Sequence, residues 1–278
     1  MSAALPRDYI KRLVRSALDE DIGSGDLSAQ LVPRRRALAR IVVREAAVLC
    51  GCGFAEGVFA ALDPDCRLGW CAGDGDALEP DQTVLEVEAD VRALLSGERT
   101  ALNFLQLLSG TATAARRWSE AAAASGVRVR DTRKTLPGLR LAQKYAVRIG
   151  GADNHRIGLF DAFLLKENHI AAAGGLPEAV AAVRSGSHAD APLQIEVETF
   201  EELQSALELG VESVLLDNFS VQECTRAAAL VDGRIHLEAS GSINLDTLAA
   251  YIATGVDCIS SGALTKHVRA VDFSMNIQ

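Results

Sequence analysis

From residue 127 onward, short apolar runs alternate with segments of helical periodicity, and this alternation is the feature that most restricts the fold. The apolar runs are residues 127–131, 161–166, 193–198, 213–217, 235–239 and 257–260. The helical segments are residues 139–149, 177–185, 200–209, 221–230 and 245–254. Strands that alternate with helices form right-handed βαβ units, which build a parallel sheet. We therefore predict an α/β protein with six strands, or seven if one more is present.

Each predicted strand is followed by polar residues at its carboxyl end. These residues are Asp131 to Lys134, Lys166 to His169, Glu196 with Glu198, Asp217 with Asn218, Ser240 to Ser242, and Ser261 with Gly262. In a parallel α/β barrel the carboxyl ends of all strands form one catalytic face, whereas an open sheet binds ligands at a single switch point. We therefore expect an incomplete parallel α/β barrel of six to seven strands.

Composition excludes several classes of protein. The 278 residues include 49% hydrophobic and 23% charged residues, which is unlike a disordered or fibrous chain. A net charge of −9 argues against a general nucleic-acid or membrane-surface binder. Six cysteines without a C-x-x-C pair do not form a disulfide scaffold. The charged N-terminus is unlike a signal peptide, so we expect a cytoplasmic protein.

Positive charge is concentrated in one segment of this acidic chain. Residues 116–166 contain eleven Lys or Arg and four Asp or Glu, a local charge of +7 that leaves −16 for the rest. A solvated helix face is the ordinary explanation of one charge run. Here, however, the cations coincide with the ends of the first two strands, and acids follow the third and fourth strands. Small residues follow the fifth and sixth strands, and their backbone N–H groups suit a phosphate. This order fits a phosphorylated sugar with Mg²⁺ and a carboxylate ligand.

Several longer motifs resemble a known enzyme family. They are E-D-I-G-S-G-D-L-S (20–28), R-T-A-L-N-F-L-Q (99–106), D-T-R-K-T-L-P-G-L-R (131–140), K-Y-A-V (144–147), G-G-A-D-N-H-R-I-G-L (150–159), L-K-E-N-H-I (165–170), L-L-D-N-F (215–219), E-A-S-G-S-I (238–243) and S-S-G-A-L-T-K-H (260–267). Together they resemble the quinolinate phosphoribosyltransferase family, also called carboxylating nicotinate-nucleotide pyrophosphorylases, over essentially the whole chain. A related pyrophosphorylase associated with molybdenum transport shares several of these motifs and is the alternative.

The resemblance implies a fold and an assembly. An N-terminal α/β sandwich domain is expected over residues 1–108, an α/β barrel over 109–269, and a tail, 270–278, that returns to the first domain. The family implies a homodimer or larger oligomer, in which Arg99 reaches the partner's site. The sequence departs from the usual pattern at Ser242, where a second glycine is frequent, and at Ser261, where an apolar residue is usual. These departures leave the contacts of the phosphate loops open.

The resemblance also implies a reaction, in which quinolinate and 5-phosphoribosyl-1-pyrophosphate give nicotinate mononucleotide, pyrophosphate and CO₂. The expected catalytic residues are Lys134, Lys166, Glu196 and Asp217, of which the two acids hold the ribose hydroxyls and Mg²⁺, directly or through water. The other expected substrate-binding residues are Arg99, Thr132, Arg133, His155, Arg156, Ser240, Gly241, Ser242, Ser261, Gly262 and Ala263. Guanidinium groups suit a planar dicarboxylate because they donate paired hydrogen bonds.

Some roles have alternatives at this stage. Glu198 shares a strand face with Glu196, so either can be the site acid, although the motif register favours Glu196. His155 is a ligand or a loop anchor, and Glu238 is a site acid or an acid of the barrel interior with a structural partner. A Schiff-base lyase that uses Lys166 as its nucleophile is a different class of function. A catalytically silent sugar-phosphate binder is a third.

Overall fold

The computed structural model describes residues 4–278, and its strands and helices follow in one chain order. They are α1 (Arg7–Ile22), β1 (Arg36–Val43), β2 (Ala47–Val48), α2 (Cys52–Leu62), β3 (Arg67–Trp70), β4 (Ala77–Leu78), β5 (Thr83–Asp90), α3 (Val91–Ala122), β6 (Arg128–Arg130), α4 (Arg140–Ile149), β7 (Phe163–Leu165), α5 (Glu167–Ala173), α6 (Leu176–Ser185), β8 (Leu193–Val197), α7 (Phe200–Glu208), β9 (Ser213–Asp217), α8 (Val221–Val231), β10 (His236–Ser240), α9 (Leu245–Ile252), β11 (Cys258–Ser260), α10 (Ala263–Lys266) and β12 (Phe273–Ile277). A short 3₁₀ helix, Ala29–Leu31, precedes β1.

The chain divides into two compact units. The first unit comprises residues up to 116, 141–151 and 267–278, and the second comprises 117–140 and 152–266. Residues 1–3 of the predicted N-terminal domain lie outside the described part of the chain. The predicted domain boundary between residues 108 and 109 stays a prediction.

The first unit is built around an antiparallel sheet with the strand order β12-β1-β5-β3. Burial alternates along β1, where every second residue from Ala37 to Val43 faces the core, as expected for a strand with one covered face. One edge strand of this sheet is β12, which pairs with β1 through Ile277 opposite Ala39 and Phe273 opposite Val43. Residues from the end of the chain therefore complete a sheet that begins near its start.

The second unit is built around a parallel sheet of six strands with the order β6-β11-β10-β9-β8-β7. The first strand lies beside the last, so the order is circular with one break, between β6 and β7. A doubly wound sheet would place its first strand in the interior instead. Beyond β6, Asp153 forms a parallel bridge with Arg130, and its N–H donates to Val129 O at 2.8 Å. The prediction of an incomplete barrel is confirmed, with six strands and one isolated bridge beyond β6.

The local predictions agree with the structure to within two residues for all six strands and for the five helices between them. Two short helices, α5 and α10, were not predicted. Both helices begin within three residues of the end of a strand, where the polar residues indicate only a loop. Within residues 4–278, no helix combines the length and the apolar character that crossing a bilayer requires.

Candidate active site

The strand ends of the second unit bring the predicted site residues other than Arg99 to one edge of the sheet. Asp217 pairs with Ser240 at the ends of β9 and β10, and Arg130 pairs with Ser260 at the ends of β6 and β11. Glu196 lies one residue before the end of β8. Because the strands are parallel and in register, the segments that follow them share this edge.

Two half-buried guanidinium groups, those of Arg133 and Arg156, lie near enough at this edge for the charge of one to affect the other. Arg133 follows β6, and its Nε is buried without a hydrogen-bond partner among the described residues. Arg156 donates from Nη1 to Ala162 O at 3.2 Å. Burial, and after it the positive charge of Arg133, lower the pKa of Arg156, while the charges of Asp161 and Glu196 raise it. An anion placed against both guanidinium groups would satisfy the buried Nε and relieve the repulsion.

Asp131 holds the loop that carries Arg156 by hydrogen bonds. This fully buried carboxylate accepts the His155 N–H at 2.9 Å and the Asn154 side-chain amide at 2.7 Å. The His155 ring accepts the Arg156 N–H at Nδ1, at 2.7 Å, and its Nε2 lies 2.9 Å from Gln194 Oε1. Both ring nitrogens are therefore engaged within the chain, as in a loop anchor. Substrate binding by His155 stays a prediction.

Lys166 and Glu196 form an ion pair at the ends of β7 and β8. Lys166 Nζ lies 2.7 and 2.5 Å from the two carboxylate oxygens, and the Glu196 side chain is only 12% exposed. Glu198 is exposed and makes no such contact with Lys166. The geometry thus distinguishes the two acids and makes Glu196 the partner of Lys166. A lysine held as an ion-paired ammonium is unsuited to the neutral amine chemistry of a Schiff base, so the lyase interpretation has no support here.

Negative charge accumulates beside this pair. The neighbouring charge of Glu167 is the largest cause that raises the pKa of Glu198, and Asp217, Glu202 and Glu196 add to it. Within residues 4–278 no group of three His, Cys, Asp or Glu side chains is placed to hold a metal by itself. Mg²⁺ typically keeps water and takes one or two carboxylates together with substrate phosphates. Glu196 and Asp217 fit that pattern, and metal binding by them stays a prediction.

The loop after β10, which is predicted to be a phosphate cradle, lies against the loop after β9. Ser240 O accepts the Asn218 N–H at 3.0 Å, which joins this loop to the one after β9. Gly241 has φ of 102°, and a Cβ there would lie 2.8 Å from Asn218 N. Only glycine fits this position, since the left-handed conformation and the close backbone both exclude a side chain. Ser242 follows with its side chain exposed.

The loop after β11 is shaped by its own serine. Ser261 Oγ donates to Ile243 O at 3.0 Å and accepts the Ala263 N–H at 3.3 Å. A Cβ on Gly262 would lie 2.7 Å from Lys134 Cδ, so the Lys134 side chain lies directly against this loop. The Ser261 hydroxyl therefore stabilises the loop from inside. Phosphate binding by Ser261, Gly262 and Ala263 stays a prediction.

The remaining predicted residues have different surroundings. Thr132 Oγ1 accepts the Lys134 N–H at 3.1 Å, and Lys134 itself is exposed. Thr265 Oγ1 donates to Lys134 O at 2.9 Å, which fixes the backbone that carries the lysine. Arg99 lies exposed on α3 in the first unit. Its approach to a partner's site stays a prediction.

The sequence reasoning misses Gln194, and it leaves Glu238 open between a site acid and an interior acid with a structural partner. Gln194 precedes Glu196 by two residues on β8, so the period of a strand already indicated that both side chains share one face. Gln194 Nε2 donates to Glu238 Oε2 at 3.3 Å, and Arg130 Nη1 donates to the same oxygen at 3.1 Å. These side chains form a polar layer inside the barrel, beneath the strand ends.

An incomplete α/β barrel with paired guanidinium groups, an acidic cluster and glycine loops at its strand ends defines an enzyme that binds small anionic substrates. Comparison with known families matches residues 26–109 to the N-terminal domain of quinolinate phosphoribosyl transferase and residues 111–276 to its C-terminal domain. The chain therefore belongs to the quinolinate phosphoribosyl transferase family.

Individual relatives agree with this family over their full length. A Synechocystis protein named "Probable nicotinate-nucleotide pyrophosphorylase (carboxylating)" is 43% identical over 100% of this chain and 95% of its own. A Mycobacterium leprae protein named nicotinate-nucleotide pyrophosphorylase (carboxylating) is 40% identical over 97% of this chain and 98% of its own. The solved structure of the nicotinate-nucleotide pyrophosphorylase from Francisella tularensis has a TM-score of 0.96 at 42% identity and covers 99% of this chain and 98% of its own.

Proposed function

We propose that this chain transfers the phosphoribosyl group of 5-phosphoribosyl-1-pyrophosphate to quinolinate, with decarboxylation, as a step of NAD biosynthesis. The products are nicotinate mononucleotide, pyrophosphate and CO₂. Full-length similarity to carboxylating pyrophosphorylases supports the reaction. The observation that supports quinolinate as the substrate is the pair Arg133 and Arg156. Their two guanidinium groups, one with a buried Nε that has no partner, suit a ligand with two negative charges.

Quinolinate is a planar dicarboxylate, and the two guanidinium groups can each bind one carboxylate or share one. Arg156 approaches with its backbone fixed by His155, and Arg133 approaches from the segment after β6. We assign Thr132 and Lys134 to the same wall because the Lys134 N–H donates a hydrogen bond to Thr132 Oγ1. Binding orients the ring nitrogen toward C1′ of the ribose. The two reacting atoms are then already in position, so the entropy cost of bringing them together does not add to the barrier.

The transfer step needs electrostatic stabilisation more than proton transfer. The C1′–O bond breaks with its electron pair leaving on pyrophosphate, and the lone pair of the ring nitrogen forms the new N–C1′ bond. Positive charge on the ribose is stabilised by the acids Glu196 and Asp217, and the leaving group by Lys134 and Lys166. The ring nitrogen carries no proton, so no general base is required.

Decarboxylation follows from the product of the transfer. Once the nitrogen is a pyridinium, the electrons of the neighbouring C–CO₂ bond remain on the ring as CO₂ leaves. A proton from water then adds to that carbon. The chain's contribution is to hold the other carboxylate with guanidinium groups so that the ring keeps its orientation.

Lys166 must change partner during this reaction. In the structure both carboxylate oxygens of Glu196 hold its ammonium group. Arrival of an anionic substrate gives Lys166 a second acceptor and frees one oxygen of Glu196. We propose that Glu196 and Asp217 then hold Mg²⁺, directly or through water. The ion supplies charge neutralisation for the pyrophosphate.

We also propose a homodimer in which Arg99 serves the partner's site, and a cytoplasmic location. The exposed side chain of Arg99 on α3 supports the first proposal. All six cysteines are free thiols, which suits a reducing compartment. Mixing Arg99→Ala subunits with Lys166→Ala subunits should restore activity if Arg99 acts across the interface. Mixtures as inactive as the separate variants would place Arg99 in its own subunit's site or in none.

The direct test of the function is an assay that follows quinolinate loss, pyrophosphate release and CO₂ together, with and without Mg²⁺. We expect equal amounts of the three with 5-phosphoribosyl-1-pyrophosphate and Mg²⁺, and none from a Lys166→Ala, Asp217→Ala double variant. Nicotinate in place of quinolinate is the matched substrate control, since it lacks the second carboxylate. Pyrophosphate release without quinolinate loss would contradict the proposal.

A further inference from the structure

Glu238 is an acid buried where an α/β barrel usually holds apolar side chains. Barrel interiors are packed mainly with branched apolar residues, yet the Glu238 side chain is 0% exposed on β10. A carboxylate in such a place is costly unless donors surround it. The donors present are Arg130 Nη1 at 3.1 Å and Gln194 Nε2 at 3.3 Å, both on Oε2. Its Oε1 forms no hydrogen bond within the described residues.

The unpartnered Oε1 faces His155. The distance from Oε1 to His155 Nε2 is 3.5 Å, which is within range for an electrostatic contact but long for a hydrogen bond. The other ring nitrogen, Nδ1, accepts the Arg156 N–H and therefore carries no proton. A neutral imidazole then carries its proton on Nε2, toward Gln194 Oε1 and Glu238 Oε1. The carboxylate thus stabilises the one tautomer that can accept from Arg156.

We propose that Glu238 is a positioning residue for quinolinate binding, which acts through the His155 tautomer on the backbone of Arg156. This inference rests on the proposed function. Glu238 itself touches no substrate. Its negative charge selects the Nε2–H form of His155, that form holds the Arg156 N–H, and the held backbone aims the guanidinium at the substrate. A buried partner that orients a histidine in this way resembles the orienting acids of other active sites.

Glu238→Gln keeps the shape of the side chain and changes only its charge and one acceptor. Arg130 and Gln194 donate to one oxygen of Glu238, so the oxygen of the new amide stays with them. The new N–H group then faces the Nε2–H of His155, donor against donor. Only Gln194 Oε1, at 2.9 Å, still favours that tautomer, so the tautomer with an unprotonated Nε2 gains population. That tautomer turns an Nδ1–H toward the Arg156 N–H, donor against donor. We expect the KM for quinolinate to rise about tenfold, with kcat and the KM for 5-phosphoribosyl-1-pyrophosphate within about twofold of the parent.

A purely structural role of Glu238, as the counter-ion of Arg130, is tested by a double variant. Arg130→Met combined with Glu238→Gln contains no unpaired buried cation. We expect its KM for quinolinate to stay raised, because the His155 tautomer is still wrong. A return of the KM to the parent value would overturn the proposal. The same double variant replaces Glu238→Gln throughout if the single variant fails to fold.

The tautomer can be observed without any substrate. In enzyme labelled with ¹⁵N-histidine, we expect nitrogen NMR to show His155 as the Nε2–H form in the parent and a clearly raised fraction of the Nδ1–H form in the Glu238 variants. An unchanged tautomer would overturn the proposal. Because this measurement does not depend on which substrate the enzyme uses, it separates failure of the inference from failure of the proposed function.

Discussion

Replacing Arg133 with methionine should stabilise the free protein while it destroys substrate binding. Its buried Nε has no partner, and such a charged donor costs about 1–3 kcal/mol. Methionine fills a similar length without a charge, and it also removes the repulsion that helps lower the pKa of Arg156. After allowance for lost packing, we expect the free energy of unfolding to rise by about 1 kcal/mol, a gain of about 2–4 °C in Tm.

Substrate binding should respond in the opposite direction. A guanidinium that donates two charge-assisted hydrogen bonds to a carboxylate contributes about 3 kcal/mol, so Arg133→Met should raise the KM for quinolinate about 150-fold. Thermal unfolding without ligand and steady-state kinetics measure the two effects on the same preparation. Arg15→Met, at a side chain that is 85% exposed on α1, is the control and should change neither. A lower Tm together with an unchanged KM would refute the reasoning.

Three further predictions concern the metal, a loop and the core. Neighbouring carboxylates raise the pKa of Glu198, so its charged form is disfavoured in the free protein. Because a bound cation relieves this repulsion only where the carboxylates are charged, Mg²⁺ should raise Tm at about pH 8 and have less effect at about pH 5. Equal shifts of Tm at the two pH values would argue against a metal at this edge. Gly241→Ala should raise the KM for 5-phosphoribosyl-1-pyrophosphate at least tenfold, because its Cβ would meet the Asn218 backbone; kinetics with an unchanged KM would contradict the phosphate cradle. Gly150→Ala should lower the free energy of unfolding by about 1–3 kcal/mol in denaturant titration, since its Cβ would overlap backbone atoms of α3. The control Gly73→Ala, whose Cβ would make only an ordinary contact, should change the free energy of unfolding little. Similar results for both variants would refute the packing argument.

Features that depend on local sequence were predictable. The six strands are short apolar runs with polar residues directly after them, so both their positions and the polar edge could be inferred from a single chain. The isolated bridge at Asp153 could not be inferred in this way, because a single bridge carries no periodic pattern. Likewise, α5 has seven residues, too few for helical periodicity to separate it from a loop.

The site shows the same division. Lys166 and Glu196 were predicted as site residues from their places at strand ends, but their direct contact depends on the register between β7 and β8. The sequence left His155 open between a ligand and a loop anchor, and its two engaged nitrogens became visible only in the structure. Partners far apart in sequence, such as Arg130 and Glu238, leave no local pattern, since each alone resembles an ordinary charged strand residue.

The pairing of β12 with β1 has a consequence for synthesis of the protein. A chain leaves the ribosome from its N-terminus, and domains generally fold as they emerge. The sheet of the first unit cannot acquire its β12 strand until residues 273–277 have been translated, more than 200 residues after β1. All six strands of the barrel emerge in the interval. During translation the first unit is therefore the last to be finished, and until then the Ala39–Val43 edge of β1 is open to pairing with other nascent chains.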